Sequence, residues 1–390
     1  MIWLVVIFAG LAAYPYAVYP WGMLWLARRR GKENRREAFR GRAAAVMSSR
    51  KEGAGLEKKV RRLLELAAEG EPLAEIRVGL DGGSAEEARG LEERVAAAAE
   101  SAGCAVRARG FPEVRGKAAV LNDLTADKRG IDAFVMMDVR QEVADGAVSG
   151  VLAALADPAV AVASGELRYT AGKGGAAKSS ETYWGMEKRL RHAEGLLASV
   201  PGATGALYAI RAESCGTLPE GTLDDDVLLP MKAVLGGGRC VFVPGACVFD
   251  APEERYGREW RRKRRTLAGI WQLFRLEPRL AWPWSNPIWG IYWSHKVMRL
   301  LTPFWLMGVV AATAIGAWEE WRGSGGNWWW RGLLAAEVFG AAAGAVCHAG
   351  DGKGRGRIAG LLGAAWGMNA VLFLAAWDAW TGRMKGAWKE

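Results

Sequence analysis

Hydrophobic and polar positions alternate along this chain in three regimes. Ile2 to Ala27 runs without one charged side chain. From Gly41 to about Leu276, short apolar runs bounded by turn residues alternate with stretches of helical period. Long apolar runs return after Leu300. The middle regime predicts an α/β domain with a Rossmann-like, mostly parallel sheet. Its expected strands are Ala43–Met47, Glu75–Gly79, Ala105–Ala108, Ala133–Met137, Val160–Ala163, Ala206–Ile210 and Cys240–Val243. Its expected helices are Leu56–Ala68, Glu86–Ser101, Lys117–Leu124, Val148–Ala156 and Tyr183–Ala198.

The outer regimes predict membrane helices. A span takes about 20 apolar residues, and the first run is long enough even with Pro15 and Pro20 inside it. No basic residue precedes it, so it reads as an anchor rather than a cleaved leader. Three further spans are expected near Leu300–Trp318, Leu333–His348 and Ile358–Trp377. Between domain and spans, the stretch around Pro278 to Arg299 mixes Trp282, Trp284, Trp289 and Trp293 with prolines and basic residues, which reads as a helix lying in the membrane interface. The chain divides into a transmembrane helix (1–27), a basic juxtamembrane linker (28–42), a catalytic α/β domain (43–277), an interfacial helix (278–299), three transmembrane helices (300–380) and a tail (381–390).

Charge orients this arrangement. Arg28, Arg29, Arg30, Lys32, Arg35 and Arg36 follow the first run, which places that flank and the α/β domain in the cytoplasm of a multi-pass plasma-membrane protein. Net charge is +10; with spans present, it points to anionic lipid or phosphate rather than nucleic acid, for which no motif is visible. The five cysteines form no Cys-x-x-Cys pair, and three histidines make no zinc site.

In open α/β sheets ligands lie at the carboxyl ends of strands. Asp81-Gly82-Gly83-Ser84 follows the second expected strand. It reads either as a tight turn or as a contact to a nucleotide. Asp138 leaves the buried run Phe134–Met137 and reads as a holder of a divalent cation on a diphosphate, or as a turn-forming cap. Asp224-Asp225-Asp226 precedes an apolar stretch, as acids do at helix starts. Three adjacent acids also repel, which raises at least one pKa and suits a general base. The run Arg261–Arg265 is a solvated or lipid-facing patch, or a cradle for a leaving diphosphate.

Taken in order, these pieces resemble the membrane-bound, bacterial polysaccharide-biosynthesis type of family 2 glycosyltransferase, with a GT-A fold, over about Ala43 to Pro303. Ser48–Glu52, Gly79–Gly82, Gly116–Asn122, Asp138, Gly202–Ala206, Asp225-Asp226 and Ser294–Val297 match its motifs in sequence. The resemblance implies a hexosyltransferase that inverts the anomeric carbon and uses Mg²⁺ or Mn²⁺. The donor would be a nucleotide-sugar, a UDP-sugar by preference, and the acceptor a lipid-linked or glycan molecule at the bilayer. It implies Asp226 as base with Asp225 beside it, and Asp138 as metal holder. Glu52, Asp81, Gly82, Lys117, Asp138, Arg262 and Arg265 would seat the donor, and Thr204 and Gly205 the acceptor. Three positions depart from the family. Arg140 stands where the second acid of Asp-x-Asp is usual, and Lys51 replaces an Asn. Arg262-Lys263-Arg264-Arg265-Thr266 stands where processive synthases carry Gln-x-x-Arg-Trp. Single transfer is therefore expected first. A processive synthase and a catalytically inactive nucleotide-binding scaffold are the alternatives.

Overall fold

The computed structural model describes residues 1–50, 53–170, 175–251, 256–323, 328–349 and 357–383. At its centre are eight strands: β1 (Ala43–Ser49), β2 (Leu73–Asp81), β3 (Ala105–Phe111), β4 (Ala133–Met136), β5 (Glu142–Val143), β6 (Val160–Tyr169), β7 (Tyr208–Arg211) and β8 (Arg239–Asp250). They form one sheet in the order β3-β2-β1-β4-β7-β6-β8-β5. β1, β2, β3 and β4 pair in parallel, as do β6 and β8. β7 runs antiparallel to β4 and β6, and β5 antiparallel to β8.

β1 shows why this sequence makes a central strand. Ala43, Ala45 and Met47 join one core, while Ala44 and Val46 join the other. A strand covered on both faces needs such an unbroken apolar run. Helices α3 (Ala54–Ala68), α4 (Ala85–Ala102) and α6 (Ala147–Ala153) cover the first face. On α3, Leu56, Val60, Leu63 and Leu64 fall at helical spacing and are all buried, each contributing about 1.5–3 kcal/mol. Helices α5 (Lys117–Thr125), α8 (Asp225–Leu235) and α9 (Tyr256–Leu276) pack on the second face, with α7 (Gly175–Leu197) running beside β8. The expected strands and helices thus lie within observed ones. β5 and α9 were not expected, one being two residues long and the other masked by its basic residues.

The N-terminal run is not one helix. It forms α1 (Ile2–Ala13) and α2 (Val18–Arg30), bent by 55°. Pro15 sits in the break and Pro20 in the first turn of α2, and proline disfavours helical backbone in the residue before it. Toward the C-terminus a short 3₁₀ turn (Pro278–Ala281) precedes α10 (Trp289–Leu300), which includes a π-helical turn at Trp293–Val297. α10 bends by 60° into α11 (Thr302–Arg322). Then come α12 (Trp329–Ala349) and α13 (Arg357–Thr381). Among the described residues, two helices are long and apolar enough to cross a membrane, and up to four if each bent pair is one span.

Specific contacts bind these helices to the sheet domain. Leu280, Ile288, Tyr292 and Val297 belong to the same core as Leu228 and Leu229 of α8. The Tyr19 hydroxyl of α2 donates to Glu194 of α7 at 2.7 Å. His295 of α10 lies between two α7 carboxylates, Nδ1 2.7 Å from Glu194 and Nε2 2.7 Å from Glu187. Arg264 of α9 pairs with the buried carboxylate of Asp378 on α13. α1 lies on α11, where Gly308 makes room for the ring of Phe8; a Cβ there would come within 2.9 Å of it.

Candidate active site

The site begins at the end of β2. Gly82 turns the chain with φ 89°, a conformation that favours glycine. The buried Asp81 carboxylate accepts the N–H of Arg115 at 2.7 Å and of Gly116 at 3.0 Å. These are the two residues before α5, so Asp81 fixes where Lys117 starts that helix. The Lys117 ammonium then lies 2.9 Å from Asp138 Oδ1, just past β4, and 3.1 Å from Asp225 Oδ2 on α8. Burial opposes its charge, but Asp138, Asp225 and Asp226 hold its pKa above the usual lysine value.

Asp226 faces the same space. Its Oδ2 accepts the N–H of Gly205 at 2.8 Å. A Cβ on Gly205 would meet Asp226 Oδ2 at 3.2 Å and Asp138 Oδ2 at 3.4 Å, so the two carboxylates flank one glycine. Pro230 tightens this arrangement. It has no N–H for the carbonyl four residues earlier, which is that of Asp226. That carbonyl accepts the N–H of Ala203 at 2.8 Å. The start of α8 is therefore fastened to the 203–205 segment by a side-chain and a main-chain bond.

The three acids differ in environment. Burial raises the Asp225 carboxyl to about 6, with Lys117 opposing and Asp226 and Asp138 adding to the rise. Asp224 is driven well above the carboxylate range, first by burial and then by Asp226. Its Oδ2 has no hydrogen-bond partner among the described residues. Asp226 is the least buried of the three, which leaves it the one open to a substrate.

The structure brings Asp81, Gly82, Lys117, Asp138, Thr204, Gly205, Asp225 and Asp226 to one end of the sheet. The Thr204 N–H donates to Ser164 Oγ at 3.1 Å. Arg265 lies within electrostatic reach of Asp224, while its neighbour Arg264 is turned to Asp378. Both Arg262 and Arg265 sit on α9. Glu52 and Lys51 lie outside the described residues.

Four residues here were not foreseen: Ser164, Asp250, Arg191 and Lys296. Ser164 follows the apolar Val160–Ala163, and Asp250 ends β8. The strand-end rule that picked out Asp138 picks out both. Asp250 is buried, and its carboxylate holds the Arg140 guanidinium at 2.5 Å and the Gln141 amide at 3.1 Å. Arg191 and Lys296 lie on helices, where no strand-end rule applies.

Can these residues hold a divalent cation? Among the described residues, no group of three or more His, Cys, Asp or Glu side chains forms a metal cage. Lys117 occupies Asp138 Oδ1, and Arg140 occupies Asp250. Asp138 Oδ2 makes no such pairing and faces the Gly205 side. Mg²⁺ commonly uses one or two carboxylates together with substrate phosphates and water. The donor set thus fits a cation carried in on a diphosphate, not a resident metal.

A family model described as "Glycosyl transferase family group 2" matches residues 135–343, more than half of the chain. Among solved structures, the mannosyltransferase PcManGT from Pyrobaculum calidifontis, in complex with GDP-Man and Mn²⁺, is similar. It has 22% identity and a TM-score of 0.69 over 96% of this chain and 98% of that one. GalNAc-T7 with UDP, GalNAc and Mn²⁺ matches at 16% identity and a TM-score of 0.42, over 67% of this chain and 55% of that one. No curated protein matches the sequence.

Proposed function

Because the chain belongs to glycosyl transferase family group 2, we propose that its GT-A domain moves a sugar from a nucleotide-sugar to a membrane-associated acceptor, inverting the anomeric carbon. The observation that carries this reading is the convergence of Asp138 and Asp226 on Gly205, with Lys117 between Asp138 and Asp225.

In this reading the donor lies over the 81–82 turn and the start of α5. Asp81 acts by holding the Arg115–Gly116 backbone in place, and Glu52 and Gly82 complete the seat. Asp138 holds Mg²⁺ or Mn²⁺ delivered with the diphosphate. When bound, such a cation offsets charge on the leaving group, worth several kcal/mol. Lys117 keeps Asp138 and Asp225 from repelling each other. Arg262 and Arg265 face the departing diphosphate. Thr204 and Gly205 border the acceptor.

One displacement suffices. The acceptor oxygen bonds to the anomeric carbon as the bond from that carbon to the diphosphate breaks, and the hydroxyl proton passes to Asp226. Nucleoside diphosphate leaves with the broken bond's electron pair. Holding both substrates together at the bilayer supplies effective concentration. The basic flank after α2 supports a cytoplasmic site in a plasma-membrane protein. The absence of a Trp after Arg265 favours single transfer over processive synthesis.

The test is a screen of UDP- and GDP-sugars for nucleoside diphosphate release by detergent-purified protein, with and without Mn²⁺. Release with one donor, lost in Asp226→Asn, supports the reading. No release with any donor and a range of lipid and glycan acceptors sinks it.

A further inference from the structure

Two cations lie on the membrane side of Asp226 with no carboxylate bonded to them. Arg191 of α7 donates from Nη2 to Ser164 Oγ at 3.0 Å and to the Gly202 carbonyl at 3.1 Å. Its Nε is buried without a partner, and its guanidinium stands over the Phe242 ring at 5.4 Å. Lys296, in the π-helical turn of α10, makes neither hydrogen bond nor ion pair among the described residues. It lies within electrostatic reach of Arg191, Asp224 and Asp226.

Neutralising the nearby acids does not account for both charges. Asp224 is held protonated by burial and by Asp226. Asp225 already has Lys117. Glu187 and Glu194 are taken up by His295, Arg299 and Tyr19. That leaves Asp226 as the single free anion facing two cations. Two like charges held together in a partly dry site are costly unless an anion joins them. Guanidinium and ammonium groups with open donors are the usual partners of phosphate oxygens.

We infer that Arg191 and Lys296 form an anion seat for a phosphate ester carried on the acceptor, placed so that the reacting oxygen reaches Asp226. This rests on the sugar-transfer reading above and narrows its acceptor to a phosphate-bearing lipid. The location supports a lipid source. Lys296 lies in the helix that bends into α11, at the level where a bilayer's headgroups meet the protein.

The test uses full-length protein in nanodiscs, with the donor seat filled by saturating UDP or GDP. Tryptophan fluorescence follows binding of farnesyl phosphate, farnesol and inorganic phosphate. Farnesyl phosphate is expected to bind at least tenfold more tightly than farnesol. Lys296→Met and Arg191→Met should each remove that preference, while Lys296→Arg retains it. Inorganic phosphate competing with farnesyl phosphate supports the seat. Inorganic phosphate binding as well without the farnesyl chain would assign the seat to a free anion and overturn the lipid source. Equal binding of farnesyl phosphate and farnesol by the wild-type protein overturns the proposal even if a variant fails to fold. Wild-type nucleoside diphosphate release is the separate control: its absence counts against sugar transfer, not against the anion seat.

Discussion

The N–H of Gly205 donates to Oδ2 of Asp226 at 2.8 Å. One oxygen of the carboxylate is thereby tied to the backbone, and the other is left to take a proton. Asp226→Asn keeps an acceptor for Gly205 but removes the base. Transfer should fall by about 10²–10⁴-fold, with nucleotide binding measured by calorimetry unchanged. Normal turnover in this variant would move the base elsewhere.

Pro230 holds that geometry from behind. Pro230→Ala returns an N–H to α8, which then competes with Ala203 for the Asp226 carbonyl. Alanine is the better helix former by about 3 kcal/mol, so the melting temperature should hold or rise. The rate constant should nevertheless fall, by about 10-fold to 10²-fold if the carboxylate moves near an ångström. A variant as active as the wild type would show that the main-chain bond does not position the base.

Asp225 gives a pH signature. Its carboxyl titrates at about 6 in the folded chain against an ordinary 3.8. Between those values the folded chain keeps a proton that the unfolded chain has lost. Its contribution to stability therefore falls as pH rises through that window. Asp225→Asn has no such proton. Melting temperatures at stepped pH should show wild type losing ground to the variant from 3.8 to about 6, then a constant gap. A gap that widens in the wild type's favour would contradict the assignment.

Asp138 separates the cation from the nucleotide. Asp138→Ala should leave metal-free nucleotide binding in place and abolish its strengthening by Mn²⁺. Titrating nucleoside diphosphate in Mn²⁺ and in chelator reads both. Equal strengthening in variant and wild type would remove Asp138 from metal binding.

Gly110 tests the frame rather than the chemistry. A Cβ there would lie 2.1 Å from the Ser84 carbonyl oxygen, which is backbone and cannot swing aside. Gly110→Ala should cost about 1–3 kcal/mol or more, read as a lower melting temperature. An unchanged melt would mean that the β3–α4 contact yields.

Much of this was legible in the sequence, for physical reasons. β1 and β4 are unbroken apolar runs, and the acids just past β2 and β4 stand out against them. The triple acid opens a helix, as free N–H groups there favour. The two sides of the site meet only through folding. Nothing local tells Asp250 to hold Arg140, or Lys296 to approach Asp226 across 70 residues of chain. The bend between α1 and α2 was hidden because hydropathy counts apolar length and not backbone direction.

The reversal between β4 and β7 has a consequence for how such an enzyme changes over time. Residues before that seam build the nucleotide's resting place, and residues after it build the base, the anion seat and the bilayer attachment. Few residues, Lys117 and Asp138 foremost, belong to both. Donor choice and acceptor choice are thus free to diverge separately, one half retuned by substitution while the other is inherited intact.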